Sequence, residues 1–115
     1  MSPENVAVVL CTFPVDHDVA AFAHALVNER LAACVNVLPS MRSIYLWQGN
    51  VEEASEHQLL IKTTAARVEA LKSRLPQLHP YDVPELLVLD VRDGAPNYLA
   101  WVRGAIHGAP GPDLP

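Results

Sequence analysis

Apolar positions change their period along the chain, and the changes divide it into elements. Val6 to Thr12 is an almost unbroken apolar run rich in β-branched residues, the pattern of a strand buried on both faces. Pro14 ends it. Asp16 is placed as a helix N-cap, and Val19, Phe22 and Leu26 then recur at helical spacing up to Leu31. From Ala33 to Trp47 the pattern alternates around Val35, Val37, Ile44 and Leu46, with Pro39 imposing a bend at an edge. Gln48-Gly49-Asn50 is a turn, and Glu52 to Thr64 alternates again, so two long strands form a β-hairpin. Thr64 is positioned to cap a second helix carrying Val68, Leu71, Leu75 and Leu78, which Pro76 should kink or end early. His79-Pro80-Tyr81-Asp82-Val83-Pro84 is a loop with two stiff X-Pro steps. Glu85 to Val91 reads as a further strand. Gly94-Ala95-Pro96 opens a last helix, with Tyr98, Trp101, Val102 and Ala105 on its inner face.

The element order is β-α-β-β-α-β plus a terminal helix. Right-handed crossovers turn it into an α+β, ferredoxin-like sandwich: an antiparallel sheet with helices on one face. Residues 1–107 form one domain, and the Pro/Gly-rich segment 108–115 is expected to be a flexible tail. If the three helices cover one face, the apolar alternation of the first and last strands leaves the other face for a partner.

Composition strengthens that expectation. Half of the 115 residues are apolar and only 18% are charged, in a chain too short to bury so much apolar surface alone. Oligomerisation follows. The net charge of −5, with its eight basic residues scattered, argues against a nucleic-acid partner. No apolar run approaches the length of a membrane helix, and Met1-Ser2-Pro3-Glu4-Asn5 has no signal-peptide character. Two cysteines build no disulfide framework, which suggests reduced thiols and a cytoplasmic location. The glycine-rich phosphate cradles GxGxxG and GxxxxGK[ST] are absent, as are HExxH, CxxC, GxSxG and the EF-hand loop.

Few residues carry chemistry. Cys11 reads either as a thiolate ligand for a soft cation or as a small hydrophobe in a central strand. His79, after the second helix, can ligate a metal or bond neighbouring carbonyls. Two ligands fall short of the usual four, so water, Glu85 or a neighbouring chain would complete a site. His17, His24, His57 and His107 have no ligand-spaced partner, and Cys34 is read as core. Tyr45, Trp47 and Tyr81 are candidate exposed aromatics. Glu56 and Lys62, six apart on one strand face, can orient a ligand together or pair across chains. No oxyanion hole or third orienting group accompanies Cys11 and His79, so no catalysis is expected.

Six segments, in order, resemble one family. They are Cys11-Thr12-Phe13-Pro14, Glu29-Arg30-Leu31-Ala32-Ala33-Cys34-Val35-Asn36, Tyr45-Leu46-Trp47-Gln48-Gly49, Lys62-Thr63-Thr64, His79-Pro80-Tyr81-Asp82-Val83-Pro84-Glu85 and Tyr98-Leu99-Ala100-Trp101. They resemble the CutA family of divalent-cation tolerance proteins. The resemblance implies a ferredoxin-like protomer, a homotrimer, a cytoplasmic location and binding of divalent metals, Cu(2+) especially. It places metal ligands at Cys11 and His79, with Leu78 where the family has a first histidine. It also implies an inter-subunit cleft containing Tyr45, Trp47, Glu56, Lys62, Tyr81 and Glu85. Two other readings are a small-molecule sensor like the nitrogen-regulatory P-II proteins, holding an anionic ligand near Lys62, Trp47 and Tyr81, and a structural trimer anchoring another protein.

Overall fold

The computed structural model describes residues 2–108; the rest of the expected tail lies outside the described residues. In chain order the elements are β1 (Val6–Pro14), α1 (Val19–Asn28), β2 (Cys34–Val37), β3 (Met41–Trp47), β4 (Asn50–Thr64), a 3-10 turn (Ala65–Arg67), α2 (Val68–Leu78), β5 (Leu87–Asp90) and α3 (Pro96–His107). The sheet is antiparallel in the order β2-β4-β1-β5, and β3 pairs with the other half of β4. This is the α+β, ferredoxin-like arrangement the sequence predicts.

β4 organises the sheet because its 15 residues serve three partners. It pairs with β1 from Thr64↔Val6 to Glu56↔Pro14, with β2 from Lys62↔Cys34 to Leu59↔Val37, and with β3 from Glu56↔Met41 to Asn50↔Trp47. Pro39 lies in the short gap that divides β2 from β3, as a residue without a backbone donor should. The hairpin turn uses Gln48 at φ 50° and Gly49 at φ 82°, two left-handed positions that match the twist of the paired strands.

Side-chain alternation gives the sheet two different faces. Val9, Cys11 and Phe13 of β1 and Leu59 and Ile61 of β4 face α1 and α2, packing with Phe22, Leu26, Leu71 and Leu75 into the main core. The opposite face carries Val8, Leu10 and Thr12 of β1 and Glu56, Gln58, Leu60 and Lys62 of β4. That face is mostly open.

Several local expectations change. The N-cap of α1 is Asp18, whose Oδ1 accepts from the Ala21 amide at 3.0 Å; Asp16 instead contacts His17. α1 ends at Asn28, short of Leu31, because Arg30 turns to φ 60° and reverses the chain. Thr64 makes no side-chain cap, and its hydroxyl is buried without a partner among the described residues. α2 runs through Pro76 to Leu78: the proline is exposed and so near the helix end that the lost hydrogen bond does not break it. β5 is shorter than expected, starting at Leu87. Cys34 is only half-buried, because it sits on an edge strand opposite Lys62 on the open face.

The largest change concerns α3. It does not join α1 and α2. Val102 and Ile106 pack on Val6 in a second cluster, and the Tyr98 ring lies under the Lys62 ammonium at 5.7 Å. Val6 and Lys62 belong to the open face, so α3 covers one end of it. Arg30 Nη1 and Arg103 Nε tie the helix down through the Ala105 and Glu4 carbonyls. The Trp47 hairpin is left projecting. Ile44, Leu46 and Val51 are 63%, 75% and 70% exposed, and Leu87 and Leu89 of β5 are also exposed.

Candidate functional site

The uncovered end of the open face forms a cleft of about 800 Å³. Its floor is Thr12, Glu56 and Gln58; the hairpin gives one wall through Met41, Ser43, Tyr45 and Trp47, and the segment from Pro80 to Glu85 gives the other. The register explains the first wall. Glu56 pairs with Met41, so alternate β3 residues Ser43, Tyr45 and Trp47 stand on the same face as Glu56.

His79 positions the second wall. The residue is 7% exposed, and its Nε2 donates to the Thr12 carbonyl at 2.7 Å, while its Nδ1 accepts from the Tyr81 amide at 3.1 Å. Those two bonds define a neutral ring with a proton on Nε2. Its edges and faces contact Phe13 and Phe22, with centroids 5.1 and 5.5 Å away. Burial holds the His79 pKa below its ordinary value, opposed by the Thr12 bond and the nearby Glu56. The chain after α2 is thereby fastened to β1, and the X-Pro steps at Pro80 and Pro84 stiffen it. Tyr81 then reaches across to donate its hydroxyl to Glu56 Oε2 at 2.7 Å. Burial and that carboxylate push the Tyr81 pKa up.

Cys11 lies beneath this arrangement. Its Sγ is fully buried and contacts the same Thr12 carbonyl at 3.5 Å, so the thiol and the His79 imidazole meet at one oxygen. Burial, then Glu85, then Glu56 push the thiol pKa up to about 12. At neutral pH Cys11 is therefore an un-ionised thiol and His79 a neutral imidazole, and each donates to the Thr12 carbonyl. Among the described residues, no three His, Cys, Asp or Glu side chains come together as a potential metal-holding group. One chain alone does not fit a resident metal ion, because three or four protein ligands are the norm.

Within one chain the cleft gathers Tyr45, Trp47, Glu56, Tyr81 and Glu85. Lys62 stands apart, about 20 Å along β4 from Glu56 at the usual rise per residue, beside Tyr98. Two contributors escaped the sequence reading. Gln58 Nε2 bonds the Cys11 carbonyl at 3.1 Å, the Leu59 carbonyl at 3.3 Å and Glu85 Oε2 at 3.1 Å, joining β1 to the loop. Its place two residues from Glu56 was the available signal. The Thr12 carbonyl is a backbone atom that no residue pattern marks.

Comparison with known proteins agrees with fold and motifs. The model of the family described as "CutA1 divalent ion tolerance protein" matches residues 7–105. The divalent-cation tolerance protein CutA of Pectobacterium atrosepticum is 46% identical over 103 residues, covering 90% of this chain and 94% of that one. The protein of the same name from Thermus thermophilus is 50% identical over 96 residues, covering 84% and 93%. The crystal structure of CutA from Xylella fastidiosa superposes with a TM-score of 0.85 at 44% identity, covering 89% of this chain and 98% of the other. With the ferredoxin-like sheet, the motifs and these relatives in agreement, the chain belongs to the CutA1 divalent ion tolerance family.

Proposed function

We propose that this protein serves divalent-cation tolerance by binding the cation reversibly, with copper as the first candidate and no catalysis of its own. The cation is cargo rather than a resident cofactor. The observation that carries this reading is the convergence of the Cys11 thiol and the His79 imidazole on the Thr12 carbonyl, with Glu85 and Glu56 near enough to raise the thiol. A dication in that neighbourhood would release the Cys11 thiol proton, take a lone pair of the neutral His79 ring, whose single proton stays on the other nitrogen, and relieve the carboxylate field that disfavours the thiolate. Thiolate and imidazole suit copper and zinc. A further donor comes from Glu85 or from a second copy of the chain.

The second copy enters through a cytoplasmic homotrimer, with neither nucleic acid nor membrane as partner. The projecting hairpin supports that assembly, since Ile44, Leu46 and Val51 are too exposed to be at rest in water as an isolated ribbon. No helix among the described residues is long and apolar enough to cross a membrane. Calorimetric titration with copper and zinc under reducing conditions, on the wild type and on Cys11→Ser and His79→Ala, tests the site. Both variants should bind at least tenfold more weakly; binding as tight as wild type in both overturns the ligand assignment. Light scattering at low micromolar concentration tests the assembly, and a clean monomer overturns it.

A further inference from the structure

Arg30 stands where a glycine would be at ease. Glu29 is the C-cap of α1, and Arg30, the next residue, turns to φ 60°, a left-handed conformation that is costly for any residue with a Cβ. Its exposed side chain makes no ion pair among the described residues; Nη1 donates instead to the Ala105 carbonyl at 3.3 Å. Ala105 lies in the last turn of α3, where carbonyls lack intrahelical partners and a cation is favoured. The contact that a glycine would forgo is thus a bond from the end of α1 to the helix on the opposite face of the sheet. Backbone strain that persists beside such a contact points to a use for the side chain.

α3 is otherwise lightly held. Only Val102 and Ile106 of the helix are buried, and with Val6 they form a cluster separate from the main core. Its N-cap, Ala95, supplies no side-chain bond. The remaining polar ties lie at the surface: Arg103 Nε donates to the Glu4 carbonyl at 2.7 Å, and His107 stands 3.8 Å from the Glu4 carboxylate. The covered face also contains the Thr64 hydroxyl. Thr64 pairs with Val6, so the two side chains share that face, and Thr64 is 1% exposed with no hydrogen-bond partner among the described residues. Closing a helix over an unanswered hydroxyl is unfavourable, and hydration recovers that free energy when the helix lifts. A segment with few buried apolar contacts and surface ties is the kind that opens without global unfolding.

We propose that α3 is a releasable lid over the Lys62 end of the open face, and that Arg30 is its latch. Lifted, the helix takes Tyr98 off the Lys62 ammonium and exposes Val6 and the Thr64 hydroxyl, so the open face becomes continuous along β1 and β4. The main core, which holds α1 and α2 against the other face, stays closed. The device depends on neither the cation site nor the assembly proposed above.

Native-state amide hydrogen exchange on the full chain tests the lid. The hydrogen-bonded amides of α3 should exchange at least about a hundredfold faster than those of Leu59 to Lys62 in β4. Equal protection in the two elements overturns the lid. Arg30→Ala and Arg30→Gly test the latch, and the left-handed backbone separates their effects. Both variants lose the guanidinium, so α3 protection should fall roughly three- to tenfold in each. Arg30→Ala keeps the strain, and its urea midpoint should drop below that of the wild type. Arg30→Gly relieves the strain, so its midpoint should lie above that of Arg30→Ala and near the wild-type value, with β4 protection undiminished. Looser α3 amides in a variant that is no less stable overall cannot arise from a general loss of folding. Unchanged α3 protection in Arg30→Gly overturns the latch. So does an Arg30→Gly midpoint no higher than that of Arg30→Ala, because Arg30 would then be under no strain for its side chain to justify.

Discussion

Replacing His79 by alanine removes the fastening between the loop after α2 and β1, and the loss should depend on pH in a definite direction. Near pH 7.5 the variant forfeits the bonds to the Thr12 carbonyl and from the Tyr81 amide, each worth roughly 1 kcal/mol. Ring contacts with Phe13 and Phe22 contribute about 1 kcal/mol more, for a total of about 3 kcal/mol. The folded ring is neutral because burial holds its pKa below 6.5. The unfolded chain therefore takes up a proton near pH 6.5, where the folded chain does not. The His79 contribution is complete above that pH and is lost as the pH falls toward the folded value, with a slope of at most about 1.4 kcal/mol per pH unit. The alanine variant lacks this term. Urea unfolding of both proteins from pH 8 to pH 5 should show two stability curves converging on acidification. Parallel curves would refute the neutral, donor-and-acceptor role assigned to the ring, and a gap that widens toward low pH would mean that the folded ring is an imidazolium.

Two further expectations follow from local geometry. Asp18→Ala should lower stability by about 1 kcal/mol through loss of the N-cap to Ala21, measured by chemical unfolding, whereas Asp16→Ala should leave it within about 0.5 kcal/mol. Thr64→Val should be neutral or stabilising by up to about 1 kcal/mol, because the buried hydroxyl it removes has no partner; a clear loss in a thermal melt would show that the hydroxyl is satisfied in solution.

The strands were legible because their pattern is decisive. The run from Val6 to Thr12 and the alternation through Leu59 and Ile61 leave no other element type that buries those side chains. The side of the sheet taken by α3 was not legible. Its apolar stripe is satisfied equally well on either face, and the choice is made by contacts distant in sequence, Val6 with Val102 and Ile106 and Arg103 with the Glu4 carbonyl. Helix ends failed for a local reason: Asp16 and Asp18 are chemically alike, and only the backbone path decides which side chain reaches an amide. At the site, Tyr45, Trp47 and Glu56 were within reach of residue type and strand parity. The use made of Cys11 and His79 was not, because it depends on a single backbone carbonyl that both of them contact.

The division of β4 between two sets of partners gives the molecule two cooperative regimes. From Leu59 to Lys62 the strand is paired on both edges, with β1 and β2, and backed by the core, so its amides should open only when the whole domain does. From Asn50 to Ala54 it is held by β3 alone among the described residues, and Val51 is 70% exposed. A two-stranded ribbon in that position is marginal by itself. Its order is lent by whatever surface it meets, so the wall of the cleft that carries Tyr45 and Trp47 is as firm as the contact made by the hairpin tip. Occupancy of the cleft and attachment of the tip are then linked equilibria, and a change at either place is felt at the other without any movement of the core.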